Sequence, residues 1–347
     1  MNNSISINLK LKIVILLVIA LIISFFIYSF IIKFYVDPYL ENYSDLNRGV
    51  MLLKFYNYEI GSDKIYYLGS SSVKEDIDAT LIDEMDKSFG NYNLGNPATT
   101  PLRELIELES IINSKPKVVV IGLDYMSLSG NWLFPYDQYA LISPYINLKD
   151  NPELTLFYNE TYTNLLKMNK LELLIYKRKF VYPATSNMIN LLRYYLIGSK
   201  KPYSYNKYNK DFKSGGILLQ SNESYDQKFI KELQEKVDFS EYNTPHEENI
   251  EKRSFEFIVK KLLQNKIKVI ILKMPLNPNL FEKIPNEYKN NFNIFLNNIS
   301  NEYNVLVLDY TSEYDESYFY DGHHLNKKGK EIFSRGLGEN IIKIIKE

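Results

Sequence analysis

Two clusters near opposite ends of the outer part of the chain carry residue types suited to nucleophilic chemistry. Near the start, Leu68-Gly69-Ser70-Ser71-Ser72 closes an apolar run and leads into Val73-Lys74-Glu75-Asp76, presenting a serine where a strand gives way to a helix. Open α/β sheets gather ligands at the carboxyl ends of their strands. A following helix start adds unpaired N–H donors and positive potential toward a developing oxyanion. Serine-rich turns are also common helix caps, so this cluster has a purely structural reading as well. Near the end, Asp321-Gly322-His323-His324-Leu325-Asn326-Lys327-Lys328-Gly329 holds two of the chain's three histidines. An aspartate three residues before His324 can accept the imidazole N–H, fix its tautomer and leave the other nitrogen to deprotonate a serine. The alternatives are a metal pair at His323 and His324 or a helix-capping turn at Asn326. Metal is disfavoured, because adjacent imidazoles rarely ligate one ion and no further histidine or cysteine completes a shell. His246, in the polar run 244–249, reads as a surface residue.

Composition narrows the chemistry. With no cysteine in 347 residues, disulfides, thiolate metal sites and cysteine nucleophiles are excluded, which leaves oxygen and imidazole groups. The 41 basic and 42 acidic side chains give a net charge of −1, so nothing suggests a dedicated nucleic-acid binder. At 45% hydrophobic residues, the chain can bury one large core or two modest ones. No cofactor is expected.

The residues that position these groups begin with a membrane-like segment. Ile13 to Ile32 carry no charge, and twenty residues at a rise of about 1.5 Å each span a hydrocarbon layer of about 30 Å. Lys33-Phe34-Tyr35-Val36-Asp37 offers no small-residue cleavage site, so a retained anchor is expected rather than a cleaved signal peptide. Lys10 and Lys12 precede the span, whereas Lys33 is soon joined by Asp37, Glu41 and Asp45. This bias places the amino terminus in the cytoplasm and the main domain outside the membrane.

Beyond a juxtamembrane helix at about 45–59, short β-branched or aromatic runs alternate with amphipathic helical stretches. Strands are predicted at 64–68, 118–123, 269–273 and 305–309, and helices at 77–87, 102–114, 247–265, 286–303 and 327–346. The pattern predicts an α/β fold, a doubly wound, flavodoxin-like parallel sheet in a three-layer sandwich. About 133–220 breaks the rhythm and reads as an inserted cap or accessory region. The expected organisation is therefore a cytoplasmic tip and anchor over 1–36, a juxtamembrane segment over 37–62, and an α/β domain over 63–347. Between Lys167 and Lys213 eleven Lys or Arg face two acids, a local charge of +9. This stretch, with Tyr203, Tyr205 and Tyr208 interleaved, is either a contact surface for an anionic polymer or lipid headgroups, or a solvated lysine-rich face.

Taken together, Gly69-Ser70-Ser71, Asn93-Leu94-Gly95-Asn96, the run from Val118 to Asp124, and Asp321-x-x-His324-Leu-Asn-x-x-Gly resemble the block pattern of the SGNH (GDSL-type) hydrolase superfamily. The likeness covers roughly 64–346 without the insertion. It implies Ser71 as nucleophile, His324 as general base and Asp321 as its orienting acid. The amides of Gly95 and Ser71 and the Asn96 block would line the oxyanion hole, and Ser70 would stand where the GDSL form has Asp. One departure is visible. The superfamily's third block usually brings an asparagine donor after the central strand, whereas here Asp124 stands there, and an ionised carboxylate opposes a developing oxyanion. Either Asp124 turns away and Asn96, Ser127, Ser129 or Asn131 substitutes, or the hole has fewer donors. Ser70, Asp124 and Asn131 are the expected substrate contacts.

The resemblance implies a membrane-anchored serine esterase or O-acyltransferase acting on an acylated envelope glycan or teichoic-acid-like polymer. A single span before an outward domain is similar to proteins that work beside membrane-bound O-acyltransferases, including those of teichoic acid D-alanylation. The bilayer contact is expected through the N-terminal helix, and no nucleic-acid partner is expected. A non-catalytic scaffold that binds the acylated polymer is the alternative.

Overall fold

The computed structural model describes residues 2–43, 48–58, 60–128, 136–143, 146, 152–158, 160–198, 212–213 and 247–347. Ser129, Asn131, His246, Tyr203, Tyr205 and Tyr208 lie outside the described residues. In chain order the helices and strands are α1 (Asn2–Ile31), α2 (Asp37–Tyr43), α3 (Arg48–Tyr58), β1 (Lys64–Gly69), α4 (Ser71–Asp76), α5 (Ala79–Met85), β2 (Gly90–Asn93), α6 (Pro101–Glu104), α7 (Leu108–Ser114), β3 (Val118–Leu123), α8 (Tyr136–Ile142), α9 (Glu160–Leu166), α10 (Lys170–Tyr176), α11 (Val181–Ile197), α12 (Ile250–Gln264), β4 (Lys268–Lys273), α13 (Pro278–Lys283), α14 (Asn286–Tyr303), β5 (Leu306–Asp309) and α15 (Lys327–Lys346).

The five strands form one parallel sheet in the order β2-β1-β3-β4-β5. Strands β1 and β3 are buried along their whole length and β4 along all but its first residue, which explains why they read as continuous apolar runs rather than alternating ones. On one face, Ile65, Tyr67, Val118, Val120, Ile270 and Leu272 share a core with Val73 of α4, Ile82 of α5, and Phe333, Leu337 and Ile341 of α15. On the other, Tyr66 meets the rings of Phe55 and Tyr56 from α3, both at 5.7 Å between centroids. Helices therefore cover both faces, as the alternation predicts.

Local differences from the sequence reading have identifiable causes. The edge strand β2 was not predicted: Gly90-Asn91-Tyr92-Asn93 has no β-branched residue, and its place is fixed by pairing with β1 and by Asp83 Oδ1 accepting from the Asn91 backbone amide at 2.8 Å. The helix expected over 77–87 starts later, because the Asp78 side chain accepts from Thr80 N at 3.0 Å and caps α5. The helix expected over 102–114 is broken into α6 and α7.

The chain divides into two compact units, Met1–Asn47 with Lys167–Lys207, and Arg48–Leu166 with Tyr208–Glu347. The second unit holds the sheet. The first contains α1, which with its continuation forms, among the described residues, the one helical stretch long and apolar enough to cross a membrane, Leu11–Leu40; its most apolar window has a mean hydropathy of 3.0 and is only 6% buried. A π-helical turn, Ile32–Val36, continues α1 into α2. Ile32, Val36 and Leu40, spaced by four, form a buried stripe where this turn and α2 pack with α11 and with the 3-10 turn Lys177–Phe180. The later part of the region read as an insertion thus belongs to the same unit as the N-terminal helix.

Candidate active site

The strand-to-helix turn after β1 depends on two glycines. Gly69 (φ +143°) is the register partner of Gly122 at the end of β3. A Cβ on Gly69 would stand 2.6 Å from the Gly122 carbonyl oxygen, and one on Gly122 would stand 2.2 Å from Val73 Cγ2. Their bare backbones let α4 close onto the carboxyl edge of the sheet. Ser70 is the N-cap residue of α4, and Ser71 opens the helix.

Beside this turn lies an open cavity of about 260 Å³, lined among others by Ser70, Ser71, Ala98, Thr99, Asp124 and His323. Among the described residues the Ser71 hydroxyl makes no hydrogen bond. Ser70 Oγ and Ser72 Oγ are 2.9 Å apart, and Ser72 donates onward to Asp124 Oδ2 at 3.3 Å.

Asn93 ties the loop after β2 to α4. Its Nδ2 donates to the carbonyls of Val73 (2.9 Å), Lys74 (3.2 Å) and Ile77 (2.6 Å), while its Oδ1 accepts from Gly95 N at 3.1 Å. The Gly95 amide, read as an oxyanion donor, is thus directed at Asn93. The glycine serves close packing instead, since a Cβ there would lie 2.5 Å from Lys74 N. Asn96 donates its backbone N–H to Gly69 O at 2.8 Å, and its Nδ2 is buried with no partner among the described residues. Thr99 Oγ1 is likewise buried without a partner and sits in the cavity wall. Ala98, also in the wall, holds a left-handed backbone (φ +56°), costly for a residue with a Cβ.

Asp124 faces its own turn. Its Oδ1 accepts from Met126 N, Ser127 N and Ser127 Oγ, each at 2.9 Å, and its Oδ2 accepts from Ser72. The carboxylate lines the cavity, but its oxygens are occupied by four donors.

The C-terminal cluster is an Asp-centred turn. Asp321 Oδ1 accepts from the amides of His323 (2.9 Å) and His324 (2.8 Å), and Oδ2 lies 2.8 Å from His324 Nδ1. Asn326 caps α15 by accepting from Gly329 N, so the capping role and the Asp–His pair coexist. His324 Nε2 is buried without a partner among the described residues. Burial lowers the basicity of His324, but the charge and hydrogen bond of Asp321 outweigh it and raise the pKa to about 9. Burial works against ionisation of Asp321 too, yet the two imidazoles hold it well below the usual carboxylate range. The His323 ring lies 4.0 Å from that of His324, and burial followed by the neighbouring imidazolium pushes its pKa down to about 4. At neutral pH His324 is therefore the charged partner of Asp321, and His323 is neutral.

Of the residues read from the sequence, the structure brings Ser70, Ser71 and Asp124 to one cavity and pairs Asp321 with His324, with no hydrogen bond between Ser71 and either imidazole. His323, Thr99 and Ala98 were not anticipated as pocket residues. Asp321, His323 and His324 also place one donor atom each within 4.8 Å of one another, a set with the reach to hold a divalent cation. Chemically, the arrangement offers a free primary hydroxyl, two imidazoles of opposite protonation state and two unpartnered buried donors, Asn96 Nδ2 and Thr99 Oγ1. Comparison of the chain with protein-family models and with curated proteins returns no match.

Proposed function

We propose that this protein is a membrane-anchored SGNH-like serine esterase or O-acyltransferase, with α1 as a single span, its amino terminus cytoplasmic and the sheet-bearing unit outside. The observation that carries the reading is the Asp321–His324 pair, closed at 2.8 Å with Nε2 left unpartnered, on a loop whose next-door histidine lines the same cavity as Ser71. In the proposed reaction Ser71 Oγ attacks an acyl carbonyl carbon while imidazole takes its proton. The tetrahedral oxyanion collapses, the leaving alkoxide takes that proton, and the acyl-enzyme then passes its acyl group to water or to a polymer hydroxyl. Asn96 Nδ2 and Thr99 Oγ1 are the oxyanion donors we favour, since burial without a partner makes each available to a charge that develops only during reaction.

The envelope setting favours an acylated glycan or teichoic-acid-like polymer as substrate, with a membrane-bound O-acyltransferase as working partner. The test uses the full chain in detergent or nanodiscs. A fluorophosphonate probe is expected to label wild type and not Ser71→Ala, and a small acyl ester is expected to be turned over by wild type alone. Ester turnover that persists in Ser71→Ala removes Ser71 as nucleophile. A folded wild type that neither labels nor turns over ester leaves the polymer-binding scaffold as the reading.

A further inference from the structure

We infer that Lys170–Ile197 forms a helical platform that lies in the outer interface of the bilayer crossed by α1, an inference that rests on reading α1 as a membrane span. The level of the platform is set by hydrogen bonds within one compact unit. Tyr28, inside the uncharged run that ends at Ile32, donates its hydroxyl to Leu174 O at 2.9 Å and reaches Ile175 O at 3.5 Å, both in the last turn of α10. Four residues of helix separate Tyr28 from Ile32, so these carbonyls sit about 6 Å inside the end of the apolar run. At that depth a backbone carbonyl needs a partner supplied by protein, which Tyr28 is placed to be.

The platform returns to the aqueous boundary at Lys177, whose Nζ is 2.6 Å from Asp37 Oδ1 just beyond the span. Lys177, Arg178 and Lys179 gather at this corner, where anionic headgroups would lie. From there α11 runs for 17 residues with a single charge, Arg193, and is fixed alongside the span's extension by the Tyr35 hydroxyl, 2.9 Å from Met188 Sδ.

One face of α11 is apolar and open, with Ser186, Asn190 and Arg193 exposed on another. Ile189, Leu192, Tyr195, Leu196 and Ile197 are all exposed, the last two by more than three-quarters, and Ala184 is the one buried residue of this helix. A surface of this kind on a soluble protein is an association liability. Continuous with α1 and bordered by lysine, arginine and tyrosine, it matches an amphipathic helix seated at the headgroup and acyl boundary. The basic stretch seen in the sequence then contributes through a few cations at the rim of an apolar contact rather than through charge alone.

The chain has no cysteine, so single-cysteine labelling is clean. Leu192→Cys, Leu196→Cys, Leu21→Cys within the span, and Lys343→Cys on the surface of the sheet-bearing unit are each labelled with an environment-sensitive fluorophore. The full chain is then reconstituted in phosphatidylcholine–phosphatidylglycerol vesicles. Labels at 192 and 196 are expected to be quenched by lipids carrying a shallow nitroxide and to be several-fold less accessible to aqueous iodide than the label at 343. Iodide access at 192 and 196 equal to that at 343, with position 21 still quenched from the lipid, overturns the platform and leaves the span standing. Shielding from both quenchers means that protein covers the face, a second copy of the chain, and also overturns it. Failure of position 21 to be quenched from the lipid removes the span and the platform with it.

Discussion

The backbone amide of Leu325 donates to Asp76 Oδ1 at 2.8 Å, joining residues 249 apart in sequence. This bond connects the end of the helix that Ser71 opens to the residue following His324, and Ser334 reinforces it from α15 by accepting from Asp78 N at 2.8 Å. Burial raises the Asp76 pKa well above its ordinary value, with the charge of His324 opposing. Asp76→Asn preserves an oxygen acceptor and adds no charge, and is expected to cost less than about 1 kcal/mol with turnover retained. Asp76→Ala leaves the Leu325 amide buried and unpaired. It is expected to cost about 1–3 kcal/mol and to lower kcat as the His324 loop loosens. Denaturant titration and ester turnover of both variants check this, and equal effects of the two would count against a positioning role.

How much of this was legible in the sequence follows from burial. Strands β1, β3 and β4 were readable because parallel strands in a covered sheet are runs of apolar residues, and the half-exposed edge strand β5 because its Val-Leu-Val-Leu run is β-prone, whereas β2, spelled Gly-Asn-Tyr-Asn, owes its conformation to its neighbour. The Asp321-x-x-His324 spacing was readable because an aspartate-centred turn closes within four residues. The role of Asp124 had a signal of the same kind in Ser127, three residues on, the partner of an Asx-type turn. The placing of His323 in the cavity and the left-handed backbone of Ala98 had none. Which of two adjacent rings faces a pocket is decided by packing, and alanine carries no preference for positive φ. The pairing of Lys170–Ile197 with the N-terminal helix is a contact between distant segments, invisible to local periodicity.

Asp124→Asn tests whether that position can supply the missing oxyanion donor. The carboxylate accepts four hydrogen bonds; in the variant the amide oxygen can keep the three bonds from Met126 and Ser127, while Nδ2 replaces the acceptor of Ser72 and can only donate to its hydroxyl. We expect a loss of about 1 kcal/mol in stability. No gain in turnover is expected, because the side chain stays directed at Met126, Ser127 and Ser72. A severalfold rise in kcat would show that the side chain turns toward the substrate.

Ala98→Gly tests the backbone in the cavity wall. A left-handed conformation costs a Cβ-bearing residue roughly 1–2 kcal/mol, and glycine's larger unfolded-state entropy returns about 0.4–1 kcal/mol of that. The variant is therefore expected to be more stable than wild type, by up to about 1.6 kcal/mol. The denaturation midpoint should rise with unchanged slope, and a fall would place Ala98 in an ordinary backbone conformation in solution.

The two histidines make opposite predictions for pH, which lets the rate profile choose the base. A base acts only when neutral. If His324 is the base, kcat/KM climbs roughly tenfold per pH unit through neutrality and levels near its pKa of about 9. If His323 is the base, its pKa of about 4 makes the profile flat across the neutral range. We expect the rising profile, with His324→Ala losing far more activity than His323→Ala. Asp321→Asn removes the largest of the charges that hold the His324 pKa up, leaving only Asp76 and Glu75 against burial, so the midpoint moves to lower pH and the plateau falls as the tautomer is lost. Stability follows the same linkage. The raised His324 pKa contributes stability that is full below 6.5 and is lost as pH rises through about 9. The lowered Asp321 pKa contributes stability that is present above its ordinary 3.8 and is lost only in stronger acid. The pair therefore supports the fold in full from about pH 4 to about pH 6.5, with the share of His324 declining to nothing by about pH 9, and denaturant titration of Asp321→Asn should show that alkaline decline flattened relative to wild type.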